Sequence, residues 1–334
     1  MNIKKNEQGI ALVGEIIALA IVIAIVAFVG FTVLKSDKDK EPTTTQASTT
    51  DGKSPAENSE GTWKEVDYAV KGKYADADVV QVNDKTWRLY YAVQPEVQGN
   101  NFEVYSAKST DGKTWKQEAG TRKTMATFPE VIKLKDGKFR MYYQSAGVIK
   151  SAISSDGLSF KDESGTRIDK VNSEGLTLDN VAAPTITQQD NGTFVLVYRG
   201  TTNKRYAANT PNPSTQVLFW ATSSDGLSFK KKGLAIDSRN STLDGQLDGP
   251  DIVKWDDNSY RVFATSYTGV YSFTFDGSKF GKPELALSGG AVQDNMGFRG
   301  APPGDPTLTK IKGIWYMYYG ATGTESGIHY ATLQ

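Results

Sequence analysis

Six carboxylates recur where five similar segments of the chain begin. The segments are Asp76-Ala77-Asp78-Val79-Val80, Phe128-Pro129-Glu130-Val131-Ile132, Ala183-Pro184-Thr185-Ile186, Gly249-Pro250-Asp251-Ile252-Val253 (with Asp248 in front) and Asp305-Pro306-Thr307-Leu308. Two carboxyls in unlike surroundings can divide the work of a general acid and a general base. Cleavage of a glycosidic bond needs such a pair: one protonates the leaving oxygen, the other activates water or attacks the sugar. Each acid also has an ordinary structural role open to it. Asp and Thr at strand starts cap backbone N–H groups, and Asp-Pro favours a turn. Chemistry is indicated only if the elements carrying these residues bring the set together.

Those elements are legible in the spacing. The Ala or Pro of each segment is followed ten positions later (nine in the last) by an aromatic residue. It opens an alternating run, which is the strand signal: Trp87–Ala92, Phe139–Gln144, Phe194–Arg199, Tyr260–Thr265 and Trp315–Gly320. A third strand is expected after each, at Phe102–Ala107, Ile149–Ile153, Val217–Thr222, Gly269–Phe273 and Ile328–Thr332. Then comes a repeated motif, Ser-Ser-Asp-Gly-Leu-Ser-Phe at Ser154–Phe160 and again at Ser223–Phe229, with looser copies at Ser109–Trp115 and Thr274–Phe280. Asp-Gly suits a tight hairpin turn because glycine accepts φ > 0, and the following aromatic would start a fourth strand and pack over the turn.

Four strands per unit, five units and a period of roughly 45–60 residues describe a five-bladed β-propeller. The fifth unit ends at Gln334 without an outer strand. Glu60-Gly61-Thr62-Trp63-Lys64 resembles Asp111–Lys116 with one residue removed. The start of the domain is therefore expected to supply the missing strand and close the ring. An open β-sandwich is the competing fold, but it predicts neither five matching segments nor this closure.

In a propeller the first strand of every blade lines the axial channel. Asp76, Phe128, Ala183, Gly249 and Asp305 would then meet at one mouth, with Asp78, Glu130, Thr185, Asp251 and Thr307 two residues deeper. Asp76, Asp248 and Asp305 are the catalytic candidates. Asp78, Glu130, Asp251, Arg199 and Arg299 are the substrate-binding ones, Arg299 from a Gly- and Pro-rich approach to the fifth blade. Tyr143, Trp220 and Tyr267 are candidate stacking platforms, although aromatics at alternating positions are mostly core. His329, the one histidine, reads as a packed residue.

The five-fold pattern, the D-x-D entry to the first blade and the G-P entry to the fourth resemble the five-bladed glycosidases of glycoside hydrolase family 43 and its relatives, over residues 62–334. The resemblance implies a general base at Asp76 and a general acid at Asp248. The family has glutamate at the latter position, one methylene longer. It also implies a third carboxylate at the start of an intermediate blade, where this chain has Ala183; Asp305 or Glu130 is available to stand in. Family members sometimes hold calcium or another ion in the channel, and these carboxylates suit one; no other cofactor is implied. Ser-x-Asp-Gly-x-x-Trp/Phe also resembles the Asp-box of sialidases, but that box has a residue between Asp and Gly, and neither an arginine triad nor a sixth blade is evident. Three readings therefore stand: a glycoside hydrolase-like enzyme, a non-catalytic propeller binding a glycan or a protein, and a sialidase-like protein.

The first sixty residues differ in kind. Ile16–Leu34 is nineteen residues without a charge, long enough to cross a bilayer as a helix. Lys4 and Lys5 precede it, which places the short N-terminus in the cytoplasm and the rest outside. Gln8–Leu12 resembles the processing site of type IV pilin-like precursors, with Glu15 one position later than in that pattern; a signal anchor is the other reading. Residues 36–61 are rich in Ser, Thr and charged residues and read as a flexible stalk. The expected protein is a single-pass membrane protein with a monomeric extracytoplasmic propeller that takes a glycan. Lys+Arg and Asp+Glu number 38 each, so no nucleic-acid surface is expected. The absence of cysteine excludes disulfides and thiolate metal sites.

Overall fold

The structure is a computed structural model that describes residues 61–334 except 96, 100, 171–173, 211, 289–302 and 322–325. The anchor and nearly all of the stalk expected from the sequence lie outside the described residues, as does Arg299. Among the described residues no helix is long and apolar enough to cross a membrane.

The chain opens with β1 (Trp63–Lys71) and then forms five four-stranded antiparallel sheets. Blade one is β2 (Tyr74–Asn83), β3 (Thr86–Val93), β4 (Val104–Ser109) and β5 (Lys116–Gln117). Blade two is β6 (Thr127–Lys133), β7 (Phe139–Ser145), β8 (Val148–Ser154) and β9 (Lys161–Asp162). Blade three is β10 (Leu178–Gln188), β11 (Phe194–Thr202), β12 (Gln216–Ser223) and β13 (Lys230–Ile236). Blade four is β14 (Asp248–Lys254), β15 (Tyr260–Ser266), β16 (Gly269–Phe275) and β17 (Glu284–Ser288). Blade five is β18 (Gly304–Ile311), β19 (Ile314–Ala321) and β20 (Gly327–Leu333), completed by β1.

The ring closes as the sequence implied. β1 runs antiparallel to β20, from Trp63 opposite Leu333 to Lys71 opposite Gly327. Thr62 and Gln334 exchange backbone hydrogen bonds of 3.0 and 3.1 Å. The Trp63 ring meets Phe263 of blade four edge-on at 6.3 Å. Closure pairs a strand edge that would otherwise be free.

The Ser-x-Asp-Gly motif does more than turn the chain. It is wider than a two-residue hairpin. In blade two, Ser154 Oγ donates to Asp156 Oδ1 (2.8 Å) and accepts the Gly157 N–H (2.9 Å), while Asp156 Oδ1 accepts the Leu158 and Ser159 N–H groups (2.8 and 3.0 Å). The turn so fixed presents its carbonyls to the preceding blade. Tyr90 donates its hydroxyl to Gly157 O (2.7 Å), and Arg88, held by Glu118, donates to Asp156 O (3.0 Å). Tyr142 and Arg140, with Glu163, repeat these contacts on Gly226 O and Asp225 O. Tyr318 and Tyr316 reach Gly112 O and Asp111 O across the closed ring. The motif aromatics Trp115, Phe160 and Phe229 lie edge-on to Tyr318, Tyr90 and Tyr142 of the neighbouring blade, and Trp115 Nε1 also donates to Gly112 O of its own turn (3.2 Å). The repeat is therefore a clasp between blades.

In blade three the matching β11 positions are Val195 and Val197, and the blade-four copy of the motif has lost its serine. That seam is apolar instead, packed from Val195, Val197, Phe273, Phe275 and the flanking Trp220 and Phe280.

Candidate active site at the channel mouth

Each first strand carries an irregularity at its start. Pairing with the second strand slips between Ala75 and Asp78, Thr127 and Glu130, Ala182 and Thr185, Asp248 and Asp251, and Gly304 and Thr307. The residue inside each bulge has left-handed backbone: Asp76 (φ 53°), Phe128 (48°), Ala183 (45°), Gly249 (49°) and Asp305 (48°). Four of the five are not glycine, so four blades hold a strained conformation at this level. A bulge adds a residue and re-aims the strand, and here it turns all five entry residues toward the axis, where they line the mouth.

Two residues deeper the ring is structural. Asp78 accepts the Val131 N–H (2.8 Å), Glu130 the Ile186 N–H (2.8 Å), Thr185 the Ile252 N–H (2.9 Å), Asp251 the Leu308 N–H (2.7 Å) and Thr307 the Val79 N–H (3.3 Å). Each blade staples the next, once around. Burial raises the three acids above the usual carboxylate range: Asp78 to about 7 and Asp251 to about 8, with Glu130 also well up, helped by the neighbouring acids. Asp78, Glu130 and Asp251, candidate substrate ligands in the sequence, are thus buried staples whose carboxyls are engaged by backbone.

The mouth itself gathers Asp76, Asp248, Asp305 and Arg199 from four blades. Asp76 Oδ2 accepts the Phe128 N–H at 3.1 Å, and Asp305 lines the mouth beside it. Burial, reinforced by repulsion from Asp248, raises Asp76 to about 6 despite the Phe128 N–H. Burial and the charges of Asp248 and Asp76 push Asp305 well above the carboxylate range. Arg199, at the mouth end of β11, forms an ion pair with Asp248 and lies 5.0 Å above the Phe128 ring.

The candidate platforms are engaged within the protein. Tyr143 is buried and donates to Asp162 (2.6 Å), Trp220 fills the seam between blades three and four, and the Tyr267 hydroxyl accepts the Asn212 N–H (2.9 Å). Alternation along a strand puts such rings between sheets, so the aromatic at the mouth is Phe128, visible in the sequence only as the odd member of the entry set. His329 is fully buried between Tyr68 and Tyr319. Among the described residues no group of three or more His, Cys, Asp or Glu side chains is placed to hold a metal ion.

Solved structures share this fold. A thermostable family-43 glycoside hydrolase superposes with a TM-score of 0.56 at 17% identity, covering 78% of this chain and 88% of its own. The shared fold is a five-bladed β-propeller. A family-130 structure, from a family described as mannoside phosphorylases that include glycoside hydrolases targeting β-1,2 mannosidic linkages in Candida mannan, gives 0.57 at 13% identity, covering 82% and 94%. An α-L-arabinofuranosidase from Clostridium thermocellum gives 0.52 at 14%, covering 74% and 82%. At such identities the likeness is one of fold. No family model and no curated protein matches the chain.

Proposed function

We propose that the propeller is a carbohydrate-active domain of glycoside hydrolase type, held on the outer face of a membrane by the apolar segment Ile16–Leu34. The observation that carries this reading is the convergence of Asp76, Asp248 and Asp305 at one mouth, with Asp76 raised to about 6 and so ionised at neutral pH. Asp76 is the general base: it takes a proton from the water that attacks the anomeric carbon. Asp248 is the general acid: freed from Arg199 by the bound glycan, it takes up a proton from solvent and passes it to the leaving oxygen. Asp305 cannot be the partner acid, because it stands beside Asp76, whereas the two carboxyls of a glycosidase stand about 5–5.5 Å or 6.5–9.5 Å apart. Arg199 and the Phe128 face supply polar and flat apolar contacts to the sugar.

A second reading, glycan binding without turnover, draws support from the Asp248–Arg199 ion pair, which engages the acid, and from the short reach of aspartate at that place. The deciding experiment uses residues 61–334, within which the ring is closed, on aryl glycosides and on arabinan and xylan oligomers, beside Asp76→Asn and Asp248→Asn. Turnover lost in both variants supports the hydrolase. No turnover, with glycan capture on an array that Arg199→Met abolishes, supports the binding module. Membrane display predicts that protease treatment of intact cells releases the propeller, and light scattering should find that domain monomeric.

A further inference from the structure

We infer that Tyr206 is a stacking platform for a sugar unit on the leaving-group side of the bond to be cut, so that the propeller takes an oligo- or polysaccharide chain rather than a single glycosyl unit on a small aglycone. The inference deepens the reading above and rests on Asp248 acting as the general acid. Three observations carry it. Tyr206 is 38% exposed and is the one aromatic ring among the exposed large apolar side chains of the described residues, the others being Val66, Met125, Leu285 and Ile314. It stands on the segment that joins β11 to β12, beyond the mouth end of the strand that carries Arg199. Gly245 sets it near Asp248: a Cβ at that glycine (φ 77°) would lie 2.4 Å from the Tyr206 Cβ and 3.0 Å from its Cγ. The stem of the tyrosine therefore rests on the Gly245 backbone. Gly245 precedes Asp248 by three residues, which span at most about 11 Å of extended chain, a distance that a short glycan bridges.

The ring is braced where it stands. Arg205 donates to Thr210 O, Thr210 Oγ1 to Ala207 O (2.8 Å) and Thr215 Oγ1 to Lys204 O (2.7 Å). Asn212 reaches across to blade four, its N–H donating to the Tyr267 hydroxyl and its Nδ2 to Gln246 Oε1 (2.9 Å each). The Gln216 N–H holds Gly245 O at 2.8 Å. A tyrosine on such a frame offers a flat apolar face and a polar tip with little side-chain freedom to lose, which matches a sugar ring with C–H groups on its face and hydroxyls at its edge. Asp76 serves the anomeric carbon and Asp248 the oxygen that departs, so a ring set outward from Asp248 meets the departing chain.

The test runs Tyr206→Ala and Tyr206→Phe in residues 61–334 on arabinan and xylan oligomers of increasing length and on aryl glycosides, whose leaving group ends close to the acid. In Tyr206→Ala the ratio of kcat/KM on long oligomers to that on aryl glycosides should fall about 10-fold, through KM. Tyr206→Phe, which keeps the ring, should retain most of that ratio. A merely structural role would lower kcat on both substrates together and leave the ratio alone. A ratio unchanged in Tyr206→Ala, or lowered as far in Tyr206→Phe, overturns the inference while the hydrolase reading stands. If nothing is turned over, that reading fails, and capture of the same oligomers on an array decides Tyr206. Capture weakened about 10-fold by Tyr206→Ala sustains it as a glycan platform, and capture that is absent or unaffected overturns it.

Discussion

Replacing Gly157 by alanine separates the clasp from the turn that carries it. The site has φ 71°, and the new Cβ would stand 2.5 Å from Arg88 Nη1 and 2.8 Å from the Tyr90 hydroxyl. Left-handed backbone costs a Cβ-bearing residue about 1–2 kcal/mol. Both donors must also retreat, losing a neutral hydrogen bond of about 0.5–1.5 kcal/mol (Tyr90 to Gly157 O) and a charged one of about 1.5–3 kcal/mol (Arg88 to Asp156 O). The expected loss is about 3–6.5 kcal/mol. Two controls lie in the same chain. Gly277, in the degenerate blade-four copy, has φ 95° and its nearest neighbour at 3.8 Å, and Gly137 has φ 85° with nothing within 4 Å. Alanine at either should cost the backbone strain alone, about 1–2 kcal/mol. Urea unfolding of residues 61–334 reads the differences as midpoint shifts at constant slope. If Gly277→Ala is as damaging as Gly157→Ala, the carbonyl clasp is not what the motif contributes.

Other consequences follow from the same contacts. Asp78 and Asp251, raised to about 7 and 8, bind protons in the folded state that the unfolded chain has released above pH ~4; their contribution is full below that pH and is lost as pH rises toward 8. Melting temperature should therefore fall between pH 5 and 8 (a window of roughly the folded and unfolded values), and Asp251→Asn, which still accepts the Leu308 N–H, should flatten the slope; an unchanged slope refutes the assignment. If a substrate is found, the acid limb of the kcat/KM profile should lie near the Asp76 value of about 6, and a limb near the ordinary aspartate range would remove Asp76 as the base. Trp63→Ala should cost about 3–5 kcal/mol in unfolding experiments, because the ring is buried against Phe263 at the closure seam. Deleting residues 61–71 should leave β20 with an open edge and produce aggregates on size exclusion; a monomeric, cooperatively melting product would show that closure by β1 is dispensable.

The fold was legible because each blade repeats one register of apolar alternation, and because the N-terminal Gly-Thr-Trp matched an outer-strand start that the last blade lacked. The third strand of blade one begins at Val104 and not at Phe102, since Phe102 is itself left-handed (φ 54°), which no local pattern announces. The clasp was half visible. Glu118–Arg122 and Glu163–Arg167 share E-x-G-T-R, so the repeated unit extends to fourteen residues in blades one and two, and that extension names the carboxylates that hold Arg88 and Arg140. The site was legible as a set of positions but not as a set of roles. Asp76 and Asp78 look alike in sequence, and only the bulge between them decides that one reaches the mouth while the other meets a neighbour's N–H.

That division explains why the mouth is where the five-fold pattern breaks. At the deeper level every blade must offer an acceptor to the next blade's backbone, and Asp, Glu and Thr all do so; the requirement is the same five times and the solutions are nearly equivalent. At the entry level the backbone is again the same in all five blades, with φ between 45° and 53°, but nothing in the stapling demands a particular side chain. There the residues are Asp, Phe, Ala, Gly and Asp. A small residue at 183 leaves space in blade three, and glycine at 249 admits Asp305 against blade four. Arg199 from blade three ties Asp248 to the ring of Phe128. A common backbone with divergent and mutually fitted side chains is the pattern expected where a ligand, and not the fold, sets the requirement.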